Sequence, residues 1–305
     1  MSFKLSGDLF APRSSDLLER AEGRIHDPRS TTKGIPVSRF ILSLFFALHA
    51  SAAFAGTPDD PLKSPAWPLL AKRTFGDAPI VFDERVKVIV PSIVEDQTQA
   101  PITVDARGID GVEKLVVIAD LNPIQHVVTL IPISAAPYIS LRMKVEQGTP
   151  VRAAALTSDG VWRLGGVYLD AAGGGCTAPA MARKDADWTE TVGRTQGRLW
   201  RETGGLTRAR FRMRHPMDTG LAKNVSPAFY IERLALKGSG GSRLATIESF
   251  EPLSEDPTLT LLVRLPSVDA GLDIEGRDNN GRVYRASLPA PVAESALAEK
   301  TAPVR

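Results

Sequence analysis

The chain has 305 residues with one Cys and four His, and 37 Lys+Arg stand against 35 Asp+Glu. A single Cys excludes an intramolecular disulfide framework and a Cys-cluster metal site. The charge balance excludes the basic excess of a dedicated nucleic-acid-binding module, and a hydrophobic content of 43% is that of a folded protein.

Arg39 precedes the apolar run Phe40–Leu48, and Ala53-Phe54-Ala55 forms a small-x-small pattern before Gly56. This is the layout of a secretory signal peptide, too short and wrongly flanked for a membrane span. Residues 1–55 are therefore expected to be a leader, unusually long because polar residues 1–39 precede its apolar core. Cleavage after Ala55 removes seven basic and five acidic residues and leaves 30 of each. His126 and His215 are then the histidines that remain, and Cys176 enters an oxidising compartment without a partner.

Residues 56–79 are Pro-rich, with Trp67, Leu69, Leu70 and Phe75 as anchors, and read as a helical arm or strap on the body. Short β-branched runs follow at 86–91, 102–106, 112–120, 126–133, 138–145, 151–160 and 161–170, separated by Pro, Gly, Asn and Asp. Their spacing of about 10–12 residues predicts an antiparallel sandwich over 80–176 rather than βα repeats. Residues 177–197 break the pattern and read as a linker. Six further runs between 208 and 289 predict a second sandwich over 198–290, before an Ala/Glu/Lys/Pro-rich tail at 291–305. In the first of these runs Arg208, Arg210, Arg212 and Arg214 alternate with Ala209, Phe211 and Met213, which sends the arginines to one face of a strand. The fold class expected is all-β, two tandem β-sandwiches joined by a Gly-rich linker, with a single large barrel as the alternative.

Gly173, Gly174 and Gly175 lead into Cys176 at the end of the first sandwich. Glycines have no side chains to pack and lose entropy when ordered, so this spacing predicts an exposed cysteine on a swinging arm. Such an arm suits a covalent carrier better than a nucleophile, which needs a fixed base. A surface loop with an incidental cysteine, or a cysteine tucked against the sandwich, are the plainer readings. HExxH, G-x-S-x-G, P-loop and dinucleotide signatures do not occur. No enzyme activity, cofactor or metal is expected.

The strings VIVPSIVEDQTQAPITVDA (88–106), Asn122-Pro123 and GGGC (173–176) resemble the SoxY-type domain of the bacterial sulfur-oxidation carrier. FRMRHPMDTG (211–220), SEDPTLTL (254–261) and DNNGRVYRASL (278–288) resemble its SoxZ-type partner. The resemblance implies immunoglobulin-like sandwiches, a periplasmic location and a small sulfur anion carried covalently on Cys176, with Gly173, Gly174 and Gly175 as the arm. It implies periplasmic redox enzymes as partners. The fusion of the two domains is similar to carriers associated with quinoprotein dehydrogenases and their c-type cytochromes, with neither nucleic acid nor membrane as partner. Here the cysteine is followed by a second domain rather than a chain end. Arg212, Arg214 and His215 are candidates for docking a partner or an anion, against the plainer reading of a solvated strand face. An interaction or assembly module for a quinoprotein dehydrogenase is the alternative function.

Overall fold

The structure, a computed structural model, describes residues 58–184, 186–223 and 227–291. The expected leader 1–55, the first two residues of the strap and residues 292–305 of the expected tail lie outside the described residues. A helix opens the described chain, α1 (Trp67–Phe75). The first half then builds β1 (Ile80–Phe82), β2 (Lys87–Ile89), β3 (Ala100–Asp105), β4 (Val112–Ala119), β5 (His126–Pro132), β6 (Ala135–Met143), β7 (Thr149–Thr157) and β8 (Trp162–Leu169). A 3-10 turn (Met181–Lys184) and a single-turn helix, α2 (Trp188–Thr191), lead to the second half. That half comprises β9 (Thr195–Arg201), β10 (Thr207–Met213), β11 (Ile231–Gly238), β12 (Arg243–Ser249), β13 (Thr258–Val263), β14 (Leu272–Asp278) and β15 (Val283–Leu288).

Each half is an immunoglobulin-like β-sandwich, and the two are joined by more than the linker. One sheet runs β1-β8-β7-β4-β5-β12-β11-β14-β15 and the other β2-β3-β6-β13-β10-β9. Both cross from one half to the other through antiparallel pairs, β5 with β12 and β6 with β13. Edge strands left open would present rows of unpaired N–H and C=O groups, and mutual pairing covers one edge of each sheet in both halves. A single buried cluster runs between the sheets, from Ile102, Leu115 and Leu130 to Phe211, Leu234 and Leu259. The strand β9 starts at Thr195, inside the stretch expected as linker. It is an edge strand with one fully buried residue, Leu199, so its sequence carries little of the apolar alternation that marks a strand.

Within the expected strap, Trp67–Phe75 form the helix α1. Pro68 suits its first turn, where no N–H is needed, and Gly76 ends it at φ +64° with its N–H on the Lys72 carbonyl. Trp67, Leu70, Ala71 and Phe75 share one face and pack on Val116, Ile118, Ala154, Trp162 and Leu164 of the nine-stranded sheet. The chain before it is pinned by Arg152, which is 1% exposed and bonds both Asp60 and Asp120 at 2.7–3.0 Å while lying 4.4 Å over the Trp67 ring. Asp60 in turn accepts from the backbone N–H groups of Leu62 and Ser64.

Candidate functional site

Cys176 lies where the two sandwiches meet, and it is buried, at 1% exposure. The exposed cysteine that the glycines predicted is thus corrected. The physical reason is a set of hydrogen bonds that straps the segment to the chain beyond β6. Gly174 N–H donates to the Glu146 carbonyl at 3.0 Å and Gly175 N–H to the Val145 carbonyl at 2.9 Å. The Glu146 carboxylate accepts from the backbone N–H groups of Cys176 and Thr177 at 3.0 and 3.1 Å, and from the Thr177 hydroxyl at 3.1 Å. From the second sandwich, Thr219 Oγ1 donates to the Cys176 carbonyl at 2.6 Å.

The glycines serve close approach here. A Cβ on Gly175 would lie 2.1 Å from the Gln97 carbonyl oxygen, and one on Gly173 would lie 2.4 Å from that of Glu146. Gly173 also holds φ +108°, a conformation that side chains with a Cβ resist. The swinging arm of the sequence reading is, in this structure, a packed segment tied down on both sides.

The surroundings of the thiol are polar but nearly closed. Burial, then the Glu146 carboxylate, pushes the Cys176 thiol up to about 12, with Lys144 pulling the other way. Lys144 is itself 4% exposed, its ammonium bonded to the Met217 carbonyl. Burial brings it down to about 8 against the pull of Asp218, Cys176, Glu255 and Glu251. Among the described residues Sγ makes no hydrogen bond, so no base is aligned on it. Neither histidine is a partner: His126 meets Thr129 Oγ1 at 2.8 Å and stacks on Phe250.

The string Arg214–Gly220 forms the other wall of the site. Met217 sits at φ +48° with its N–H on His215 Nδ1, and Asp218 exchanges backbone bonds with Phe229 while its carboxylate holds Arg183. His215 is fully buried against Phe229, and burial lowers its basicity to about 3. It is therefore a neutral packing residue of the junction and does not present itself for docking, which corrects its place among the docking candidates. Arg212 is exposed and bonds the Asp256 carboxylate at 2.5 Å. Half-buried Arg214 lines a cleft of about 380 Å³ with Arg194, Arg212, Gln196 and Asp256. Glu146, Lys144 and Thr219 were missed by the sequence reading. Thr219 lies inside the RHPMDTG string, and Lys144 was visible as a charge ending an apolar strand.

A family profile described as "Sulfur oxidation protein SoxY" matches residues 71–176, ending on the buried cysteine, and one described as "Sulphur oxidation protein SoxZ" matches residues 198–289. No curated protein matches the chain. Solved structures similar to it include the sulfur carrier protein SoxY from Chlorobium limicola f thiosulfatophilum, at 19% identity and a TM-score of 0.32 over 35% of this chain and 96% of that one. A biofilm-associated protein BSP domain follows at 11% identity and a TM-score of 0.23, over 71% of this chain and 30% of that one. A β-glycosidase from Bacteroides vulgatus gives 9% and 0.21, over 70% and 25%. The two profiles, in tandem over most of the described chain, show that it belongs to the SoxYZ sulfur carriers of sulfur oxidation, with a SoxY domain and a SoxZ domain in one polypeptide.

Proposed function

We propose that this sulfur carrier works in the periplasm as a non-catalytic partner of redox enzymes and holds its cargo on Cys176. The observation that carries the reading is the clamp on that residue. The sole cysteine of the chain ends the SoxY match and is gripped by Glu146 on one side and Thr219 on the other. Joining its thiol to a sulfur anion through an S–S bond releases two electrons and one proton. An oxidant must take those electrons, and a c-type cytochrome of a quinoprotein dehydrogenase system is the partner proposed. Attack requires thiolate, and a thiol raised to about 12 supplies little of it at neutral pH. Loading therefore follows release of residues 173–177 from Glu146 and Thr219, which an enzyme can drive by binding the freed segment.

The same burial favours a second reading, an interaction module for the dehydrogenase in which Cys176 serves packing alone. The intact mass of protein isolated from its native compartment, before and after reduction, separates the two. A reducible increment on the wild type, missing from Cys176→Ser, supports the carrier reading. An unmodified thiol in cells oxidising sulfur substrates overturns it and favours the module. The first residue of the isolated chain tests the expected export, since cleavage after Ala55 leaves Gly56.

A further inference from the structure

The outer face of the six-stranded sheet carries a charge arrangement that the cysteine site does not use. In β10, Arg208, Arg210 and Arg212 point outward and Ala209, Phe211 and Met213 inward. The register places Arg210 directly opposite Arg198 of the edge strand β9. Like charges directly opposite each other in a sheet are destabilising. Arg208 is balanced by Glu202 and Arg212 by Asp256. Arg142, Arg198 and Arg210 form no ion pair among the described residues. These three, with Arg212, line one shallow cleft of about 460 Å³ whose lining contains no carboxylate. Gly197 and Trp200 also line it, with the guanidinium groups of Arg198 and Arg208 at 5.9 and 4.9 Å from the Trp200 ring centroid.

We propose that this face docks the acidic surface of a partner protein. Charge complementarity selects the partner: three unbalanced guanidinium groups, on a sheet that stays folded despite an Arg–Arg cross-strand pair, match a cluster of carboxylates. Arginine forks bind carboxylates in bidentate geometry, and arginine and tryptophan are each enriched at protein interfaces. The cleft is open and shallow, a shape suited to a protein surface rather than an enclosed small molecule. Strand β10 leads directly into the string that holds Cys176, so a partner seated here lies beside the junction of the two sandwiches. The inference rests on the sheet face and holds whether or not Cys176 carries cargo.

The test uses the full chain and a fluorescein-labelled decaglutamate peptide followed by anisotropy. The wild type is expected to bind it with an affinity that falls steeply as salt rises. Arg210→Glu is expected to weaken binding at least tenfold while its melting temperature stays equal or rises, because a carboxylate now faces Arg198. Arg73→Glu makes the same charge change on the exposed side of α1, over the other sheet, and is expected to stay within twofold of wild type. Equal losses in the two variants would mean diffuse attraction and overturn the proposal. Displacement of the peptide by sulfate, but not by chloride at equal ionic strength, would reassign the cleft to a small anion. Tighter binding of a ten-residue thymidine oligonucleotide would reassign it to nucleic acid.

Discussion

Thr219 of the SoxZ domain donates its hydroxyl to the carbonyl of Cys176, the last residue of the SoxY match, at 2.6 Å. The bond spans 43 residues of sequence and the junction of two sandwiches. Fusion therefore does more than keep two domains together, because the second one closes over the residue that ends the first. Glu146 closes it from the other side with bonds to two consecutive backbone N–H groups.

Weakening either clamp is expected to release the thiol. Thr219→Ala removes the buried hydrogen bond to the Cys176 carbonyl, a loss of about 1 kcal/mol, which corresponds to about fivefold faster alkylation of Cys176 by iodoacetamide. Glu146→Ala removes bonds to a charged acceptor, about 1.5–3 kcal/mol, for a gain of about ten- to a hundredfold. Alkylation rates measured beside melting temperatures decide the matter. Unchanged rates in both variants would mean that the segment is held by something other than these bonds.

The pH dependence of the same reaction reports the burial. An exposed thiol reaches half its full rate at its ordinary value of about 8.5 and levels off just above it. A group raised in the folded state keeps its proton there, and the folded form loses stability relative to the released form as pH climbs above the ordinary value. With Cys176 pushed up to about 12, the alkylation rate is expected to climb about tenfold per pH unit through pH 9 and onward to pH 11. A plateau near pH 9 would contradict the closed site.

Much of this was legible in the sequence, and what escaped has a physical cause. Strands such as β4 and β7 announce themselves because burial enriches them in Val, Leu and Ala, and β10 because its two faces differ. The edge strands β1 and β9 escaped, since a strand paired on one side with few buried residues carries little pattern. Cys176 and its glycines stood out at once. Their burial did not, because the groups that cause it lie 30 and 43 residues away and contribute through one carboxylate and one hydroxyl. Three glycines in a row fit a free arm and a tight backbone contact equally well. Only the neighbouring carbonyls of Gln97 and Glu146 distinguish them.

Acid stability is set in part by two histidines, His215 fully buried and His126 half-buried. Burial lowers His215 to about 3 and His126 to about 4, so each binds its proton more readily in the unfolded chain. The unfolded state gains protons as pH falls through about 6.5, and stability drops by about 1.4 kcal/mol per unit for each group below that point. Between pH 7 and pH 5 the loss from His215 is about 2 kcal/mol. Chemical denaturation at the two pH values is expected to show a smaller difference in His215→Gln than in wild type, by about that amount. An identical difference in both would show that His215 gains its proton over the same pH range in the folded and the unfolded chain.

The glycines give the sharpest contrast between an arm chosen for freedom and one chosen for fit. If freedom were the reason, Ala at 173, 174 and 175 would stiffen the segment similarly and slow the thiol's reactions. The structure separates them. A Cβ on Gly174 meets nothing within 4 Å, and the substitution there faces only the strain of φ +86°, about 1–2 kcal/mol. Gly175→Ala drives a Cβ to 2.1 Å from the Gln97 carbonyl oxygen and 2.7 Å from that of Val145, both fixed backbone atoms joined to the same ladder. The segment must lift to relieve the overlap, and the bonds to Val145 and Glu146 go with it. Gly175→Ala is therefore expected to speed Cys176 alkylation by about tenfold or more, beyond Gly174→Ala, with hydrogen exchange rising at the amides of Gly174, Gly175 and Cys176. Slower alkylation in all three alanine variants would restore the free arm and remove the clamp from the description of this carrier.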